Sequence, residues 1–203
     1  IAAVIVEPMA GSTGVLPAPK GYLKRLREIT QKHGILLIFD EVITGFGRLG
    51  FAFAAERYGV LPDMITFAKG VTNGAAPMGG VIVRDTIYEA FMTGPDYAVE
   101  LCHGYTYSAH PLACAAGLAV LEEIEAGGMM QNAAATGAIL KSRLGDLMQR
   151  YGIIGDVRGK GLLLAFELVA DRTTREPVSE KQMAQVSAEC GAQGVIIGMS
   201  NRS

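Results

Sequence analysis

The sequence predicts an α/β fold: a mostly parallel sheet with crossover helices, followed by the start of a smaller α/β domain. Three observations carry this. Short, fully apolar runs alternate with helix-period patterns over the first third of the chain. Gly, Pro and Asn crowd the connections between those runs. A Gly127-Gly128 break is then followed by a change in composition and a second series of helix and strand patterns.

Taken in order, residues 1–6 read as a buried strand. Pro19 opens an amphipathic stretch in which Tyr22, Leu23, Leu26 and Ile29 fall at helical spacing, closing at Gly34. Residues 35–39 then form a second buried strand, completing one βαβ unit. Residues 64–67 and 80–83 are two further short strands. Pro111 begins a long helix reaching about residue 125, and residues 129–150 read as another. The spacing beyond predicts a strand over 158–169, a helix over 179–193 and a strand over 195–197. The division expected is 1–126 for the first domain and 127–203 for part of the second.

The bulk numbers exclude several classes of function. Of 203 residues, 50% are hydrophobic and 19% charged, with a formal net charge of -2, the profile of a globular protein rather than a disordered one. Acids and bases nearly balance and no Lys or Arg run occurs, so neither nucleic acid nor an anionic membrane is an expected partner. No apolar run approaches the roughly 20 residues needed to span a bilayer. Cys102, Cys114 and Cys190 are too scattered for a disulfide framework or zinc site, which points to a reducing, cytoplasmic setting with the three as small core residues. The chain starts at Ile1 inside a strand-like run, so a piece of a longer protein is expected.

Three polar positions stand out. Asp40 follows an apolar run directly, and a carboxylate at the edge of a dry sheet needs a cation or donors, or it takes up a proton. A protonated pyridine nitrogen meets that need; a loop cap or a pair with Arg48 meets it too. Lys69 ends another apolar run, where desolvation favours the neutral amine that attacks an aldehyde. The alternative is a surface lysine whose stem lies along apolar surface. Thr106 lies in a polar loop before a helix, a place suited to phosphate oxygens, although Thr106 or Ser108 could equally be that helix's N-cap. In open α/β sheets, groups at the carboxyl ends of strands converge on one crevice. His103 and His110 read as structural, with no carboxylate or Cys at ligand spacing, and no metal is assigned. The glycines at 45, 47 and 50 have the wrong spacing for a dinucleotide loop.

The ordered set of segments resembles one family, the class III (ω-amino-acid) aminotransferases of fold-type I pyridoxal-phosphate enzymes. The segments are Val4-Ile5-Val6-Glu7-Pro8, Leu37-Ile38-Phe39-Asp40-Glu41-Val42, Thr44-Gly45-Phe46-Gly47-Arg48, Phe67-Ala68-Lys69-Gly70 and Gly104-Tyr105-Thr106-Tyr107. The likeness is strongest to the ω-amino-acid:pyruvate and β-alanine:pyruvate branch. Ser12 stands where the 4-aminobutyrate and ornithine branches carry a glutamate.

The resemblance implies a fold-type I transferase with pyridoxal 5'-phosphate as cofactor, bound by the large domain in 1–126. It implies that Lys69 holds the cofactor as a Schiff base and then moves the substrate proton. By the same resemblance Asp40 pairs with the pyridine nitrogen, Val42 packs on the ring, and Glu7 is a carboxylate near the cofactor. Thr106 binds the cofactor phosphate in the neighbouring subunit's site, so a homodimer is implied. The reaction implied moves an amino group from an ω-amino acid or amine to pyruvate or another oxo acid. A related decarboxylase or isomerase, or a catalytically silent dimerisation unit, is the alternative. The family's phosphate loop and ring-stacking aromatic are expected upstream of Glu7, and its substrate-carboxylate arginine beyond Ser203. Arg158 is read as structural.

Overall fold

In a computed structural model, residues 1–97, 101, 103 and 105–199 are described. Strand β1 (Ala3–Val6) is followed by two short strands, β2 (Met9–Ala10) and β3 (Leu16–Pro17), which pair as a hairpin. Helix α1 (Tyr22–Lys32) leads to β4 (Leu36–Asp40), helix α2 (Ala54–Tyr58) to β5 (Met64–Phe67). A single 3-10 turn (Lys69–Thr72) precedes β6 (Gly80–Val83). These four longer strands form one sheet in the order β1-β4-β5-β6. The first three run parallel, and β6 is antiparallel, so the predicted parallel character holds for all but one edge.

The sheet forms because one side of it is oily enough to bury. In β4 the buried residues alternate, with Leu37 and Phe39 both at 0% exposure. They pack with Leu23 of α1 and with Ala55 and Val60, Leu26 and Ile65 closing around them. Helix α1 thus turns Leu23 and Leu26 inward, while Tyr22 and Ile29 stay exposed. It ends at His33, and Gly34 supplies the left-handed residue that closes it.

Helices α3 (Asp85–Phe91), α4 (Pro111–Ala126) and α5 (Met129–Arg150) follow, with Gly127 and Gly128 separating the last two as expected. The predicted strand over 158–169 is instead two strands, β7 (Ile154–Lys160) and β8 (Leu163–Asp171). Lys160 and Leu163 are register partners, so the turn is two residues long, and Gly161 occupies its first position at φ 55. An apolar run containing glycine reads as continuous in sequence but reverses here. Strand β9 (Glu176–Pro177) adds to β8, and helix α6 (Glu180–Ala192) is capped by a reciprocal Ser179–Gln182 capping box. Residues 195–197 form no ladder with any described residue, correcting the strand expected there.

The β7–β8 turn sits close against α5 and the earlier loop. The Leu162 N–H donates to the Arg48 carbonyl at 3.1 Å, and Lys141 Nζ donates to the Gly159 carbonyl at 3.0 Å. Arg158 is structural, as read from sequence: its Nε donates to the carbonyls of Gly14 and Val15, and its guanidinium pairs with Asp156 and Glu167. Burial works against its charge, but the two carboxylates raise its pKa. Cys114 and Cys190 are free and half-buried rather than core residues. Cys102 lies outside the described residues. No helix among the described residues is long and apolar enough to cross a membrane.

Candidate active site

Glu7 follows β1, Asp40 ends β4 and Lys69 comes just after β5, three adjacent parallel strands. Val6, the last residue of β1, is in register with Phe39, which places Glu7 beside Asp40 at the end of β4. Asp40 is in register with Thr66 of β5, and Lys69 comes two residues after that strand closes. Neighbouring strands lie about 4.8 Å apart, so the strand ends that lead to these residues span about two strand spacings. The ends of these three strands are thus neighbours in the sheet.

Each residue is held differently. Asp40 is half-buried, and its Oδ1 accepts the N–H of Val42 at 3.1 Å, a local turn that fixes the carboxylate and the following valine together. Its other oxygen accepts no hydrogen bond from a described residue, and Asp40 forms no ion pair with Arg48 or any other described residue. Glu7 accepts the N–H of Gly11 at 2.9 Å through Oε2. Gly11 is buried against Ile43, where a Cβ would come within 2.7 Å of Ile43 Cδ1. Glu7 thus ties the residue after β2, at the start of the β2–β3 turn, back to the end of β1.

Lys69 departs from expectation. It does not end β5 but opens the 3-10 turn, in the left-handed region at φ 47, and its side chain is exposed in this chain. The surroundings that would strip water from it are not supplied by the described residues. What fixes it is the backbone: the next residue, Gly70, lies under Phe46, where a Cβ would meet Phe46 Cβ at 3.0 Å. Phe46 packs edge-on against Phe53 and Phe67, with ring centroids 5.4 and 5.7 Å apart. A left-handed non-glycine residue costs on the order of 1 kcal/mol, which the aromatic wedge offsets.

Thr106 is exposed, in a turn closed by the Ser108 N–H to the Tyr105 carbonyl at 2.8 Å. The N-cap of α4 is His110, whose Nδ1 accepts the Leu112 N–H, so neither Thr106 nor Ser108 has that role. No hydrogen bond or ion pair among the described residues joins Thr106 to Asp40 or Lys69. Gly104 of the same motif lies outside the described residues.

Glu41 has a role that the sequence pattern does not announce. It is fully buried between Asp40 and Val42. Its carboxylate accepts the N–H groups of Ala54 and Ala55 at the start of α2 and the hydroxyl of Thr44. Burial pushes its pKa up, against the pull of those hydrogen bonds. Glu41 also donates its own N–H to the Thr66 carbonyl at 2.9 Å. One residue therefore ties the ends of β4 and β5 to the segment beyond Asp40. An acidic residue following an apolar run was the available signal.

Fold and candidate site together define an α/β protein with a carboxylate and a lysine at and just past the carboxyl ends of neighbouring parallel strands. The chain belongs to the class-III aminotransferases: the model of that family matches residues 1–202. It is 52% identical over 197 residues to an omega-aminotransferase of Caulobacter vibrioides, covering 97% of this chain and 44% of that protein. It is 54% identical over 170 residues to a beta-alanine–pyruvate aminotransferase of Pseudomonas aeruginosa, covering 83% of this chain and 38% of the relative. Among solved structures, an amine transaminase from an uncultivated Pseudomonas species in its pyridoxal-phosphate-bound form matches with a TM-score of 0.93 at 44% identity. That match covers 99% of this chain and 46% of the other. The chain spans less than half the length of these relatives.

Proposed function

We propose that the intact protein is a pyridoxal-phosphate-dependent aminotransferase that moves an amino group from an ω-amino acid, such as β-alanine, or an amine to pyruvate or another oxo acid. The observation that carries this is the pair at neighbouring strand ends, Asp40 with a free carboxylate oxygen and Lys69 held at a fixed turn. The omega-aminotransferase and beta-alanine–pyruvate aminotransferase relatives support the donor and acceptor classes.

The residues present fit the cofactor: a carboxylate with one uncommitted oxygen suits a protonated ring nitrogen, and a lysine one strand away suits an aldehyde. When bound, pyridoxal phosphate supplies the electron sink that lets a proton leave the carbon bearing the amino group. Lys69 would attach the cofactor through Nζ and, once released, carry the proton at that nitrogen. Asp40 would hold the ring nitrogen protonated through its free oxygen, while Val42, fixed by its N–H to Asp40, would pack against the ring. Glu7 would stand beside the cofactor, its carboxylate held by the Gly11 N–H. Thr106 would donate to the phosphate in the site of the neighbouring subunit, its hydroxyl being exposed and without a described partner. In this reading the protein is a cytoplasmic homodimer, with 1–126 the C-terminal part of the cofactor-binding large domain and 127–203 part of the small one.

A second reading, a folded dimerisation unit without chemistry, draws on the exposure of Lys69 in this chain. The two separate when the full-length protein is incubated with pyridoxal phosphate, β-alanine and pyruvate, and alanine is measured. Alanine that appears as pyruvate disappears supports transamination. Loss of carbon dioxide from the donor without aminated acceptor would indicate a decarboxylase, and no turnover with folded dimer the silent unit.

A further inference from the structure

Three buried polar atoms among the described residues have no hydrogen-bond partner: Arg27 Nε, Tyr58 Oη and Thr66 Oγ1. The Arg27 guanidinium already pairs with Asp63 through its other end, and Tyr58 lies in α2 among apolar residues with Lys160 beside its ring. Thr66 is different. It is the register partner of Asp40, and partners in a parallel ladder project from the same face of the sheet. On its other side its partner is Val81, which has no side-chain acceptor, and its own carbonyl is already taken by the Glu41 N–H.

We propose that Thr66 is a positioning residue for Asp40: its buried hydroxyl donates to the Asp40 carboxylate while that carboxylate faces the cofactor ring nitrogen. In the structure Asp40 Oδ1 is engaged by the Val42 N–H and the other oxygen has no described donor. Side chains at register positions across one strand spacing reach each other by a rotamer change. A carboxylate accepts up to about four hydrogen bonds, so Val42, Thr66 and a ring N–H can be served together. A second donor on the carboxylate fixes how its oxygens are presented to the ring nitrogen. Leaving a buried hydroxyl unpaired costs stability, and a hydroxyl kept there at that cost, beside one functional carboxylate, is accounted for by that carboxylate.

The inference rests on the assignment of Asp40 to the cofactor, and the test separates the two. Full-length wild type, Thr66→Val and Thr66→Ser are compared for pyridoxal-phosphate dissociation constant, for the pH midpoint of the lysine-linked absorbance, and for melting temperature without cofactor. Thr66→Val is expected to weaken cofactor binding about tenfold, the effect of one hydrogen bond to a charged group. It is also expected to move the pH midpoint, while the cofactor-free protein melts at the same or a higher temperature. Thr66→Ser stays within about twofold of wild type, because it keeps the donor. A Thr66→Val protein with unchanged affinity and pH midpoint overturns the proposal, as does one whose only change is a lower melting temperature. Wild type without lysine-linked absorbance overturns the cofactor reading itself, and this inference with it.

Discussion

The N–H of Ala55 donates to Oε1 of Glu41 at 2.8 Å, so a carboxylate flanked by Asp40 and Val42 anchors the first turn of a helix fourteen positions further along the chain. Ala54 and Thr44 share the second oxygen. The segment between Asp40 and that helix is thereby closed on itself, and the orientation of Asp40 is inherited from a fully buried group.

Replacing Glu41 by Gln leaves at least one helix N–H without an acceptor and is expected to destabilise the full-length protein by about 1–3 kcal/mol in urea unfolding. The pH dependence has a definite sign. Burial lifts the Glu41 carboxyl above its usual 4.5, so the folded state binds its proton more tightly than the unfolded state. Its contribution is fully present below pH 4.5 and is lost as the pH rises through the folded value. The margin of wild type over Glu41→Gln should shrink in that direction; a margin that grows would contradict the account.

Asp63 behaves in the opposite way. Burial alone would raise its carboxyl, but the Leu37 N–H at 2.7 Å, Arg27 at 2.7 Å and Arg84 at 3.3 Å together bring it below its usual 3.8. Its stability is present above pH 3.8 and is lost as the pH falls through the lower folded value. Asp63→Asn breaks a largely buried pair and is expected to cost about 3 kcal/mol at neutral pH. Unfolding at stepped pH should show that margin closing in acid.

Helix α5 meets the β7–β8 turn at Gly137, where an added Cβ would lie 2.1 Å from the Gly161 carbonyl oxygen. Gly137→Ala is expected to cost about 1–3 kcal/mol or more through overpacking. Gly145 lies on the same helix with nothing within 4 Å, and Gly145→Ala is expected to stabilise by about 1 kcal/mol. Paired melting curves of the two variants check both signs at once.

Much of this was legible because it is local. The apolar run of β4 and the helix-period pattern of α1 state their own structure, and strand-end placement was enough to single out Asp40. The turn within 154–171 was not, because Gly161 interrupts an apolar run without changing its hydrophobicity. The role of Glu41 was not, because its partners stand three, thirteen and fourteen residues away and only folding joins them. Lys69 comes two residues after β5, the strand beside that of Asp40. Its left-handed backbone goes with the close packing of Gly70 under Phe46, which itself packs on Phe53 and Phe67, and no local pattern encodes that cluster.

The central claim is that Lys69 is the residue that holds pyridoxal phosphate. The full-length protein, titrated with the cofactor, reduced with borohydride, digested and mapped, tests it most directly, with Lys69→Ala alongside. The account predicts one labelled peptide, carrying the modification on Lys69, and loss of both label and lysine-linked absorbance in the variant. A label on another lysine, or an undiminished label in Lys69→Ala, would contradict it.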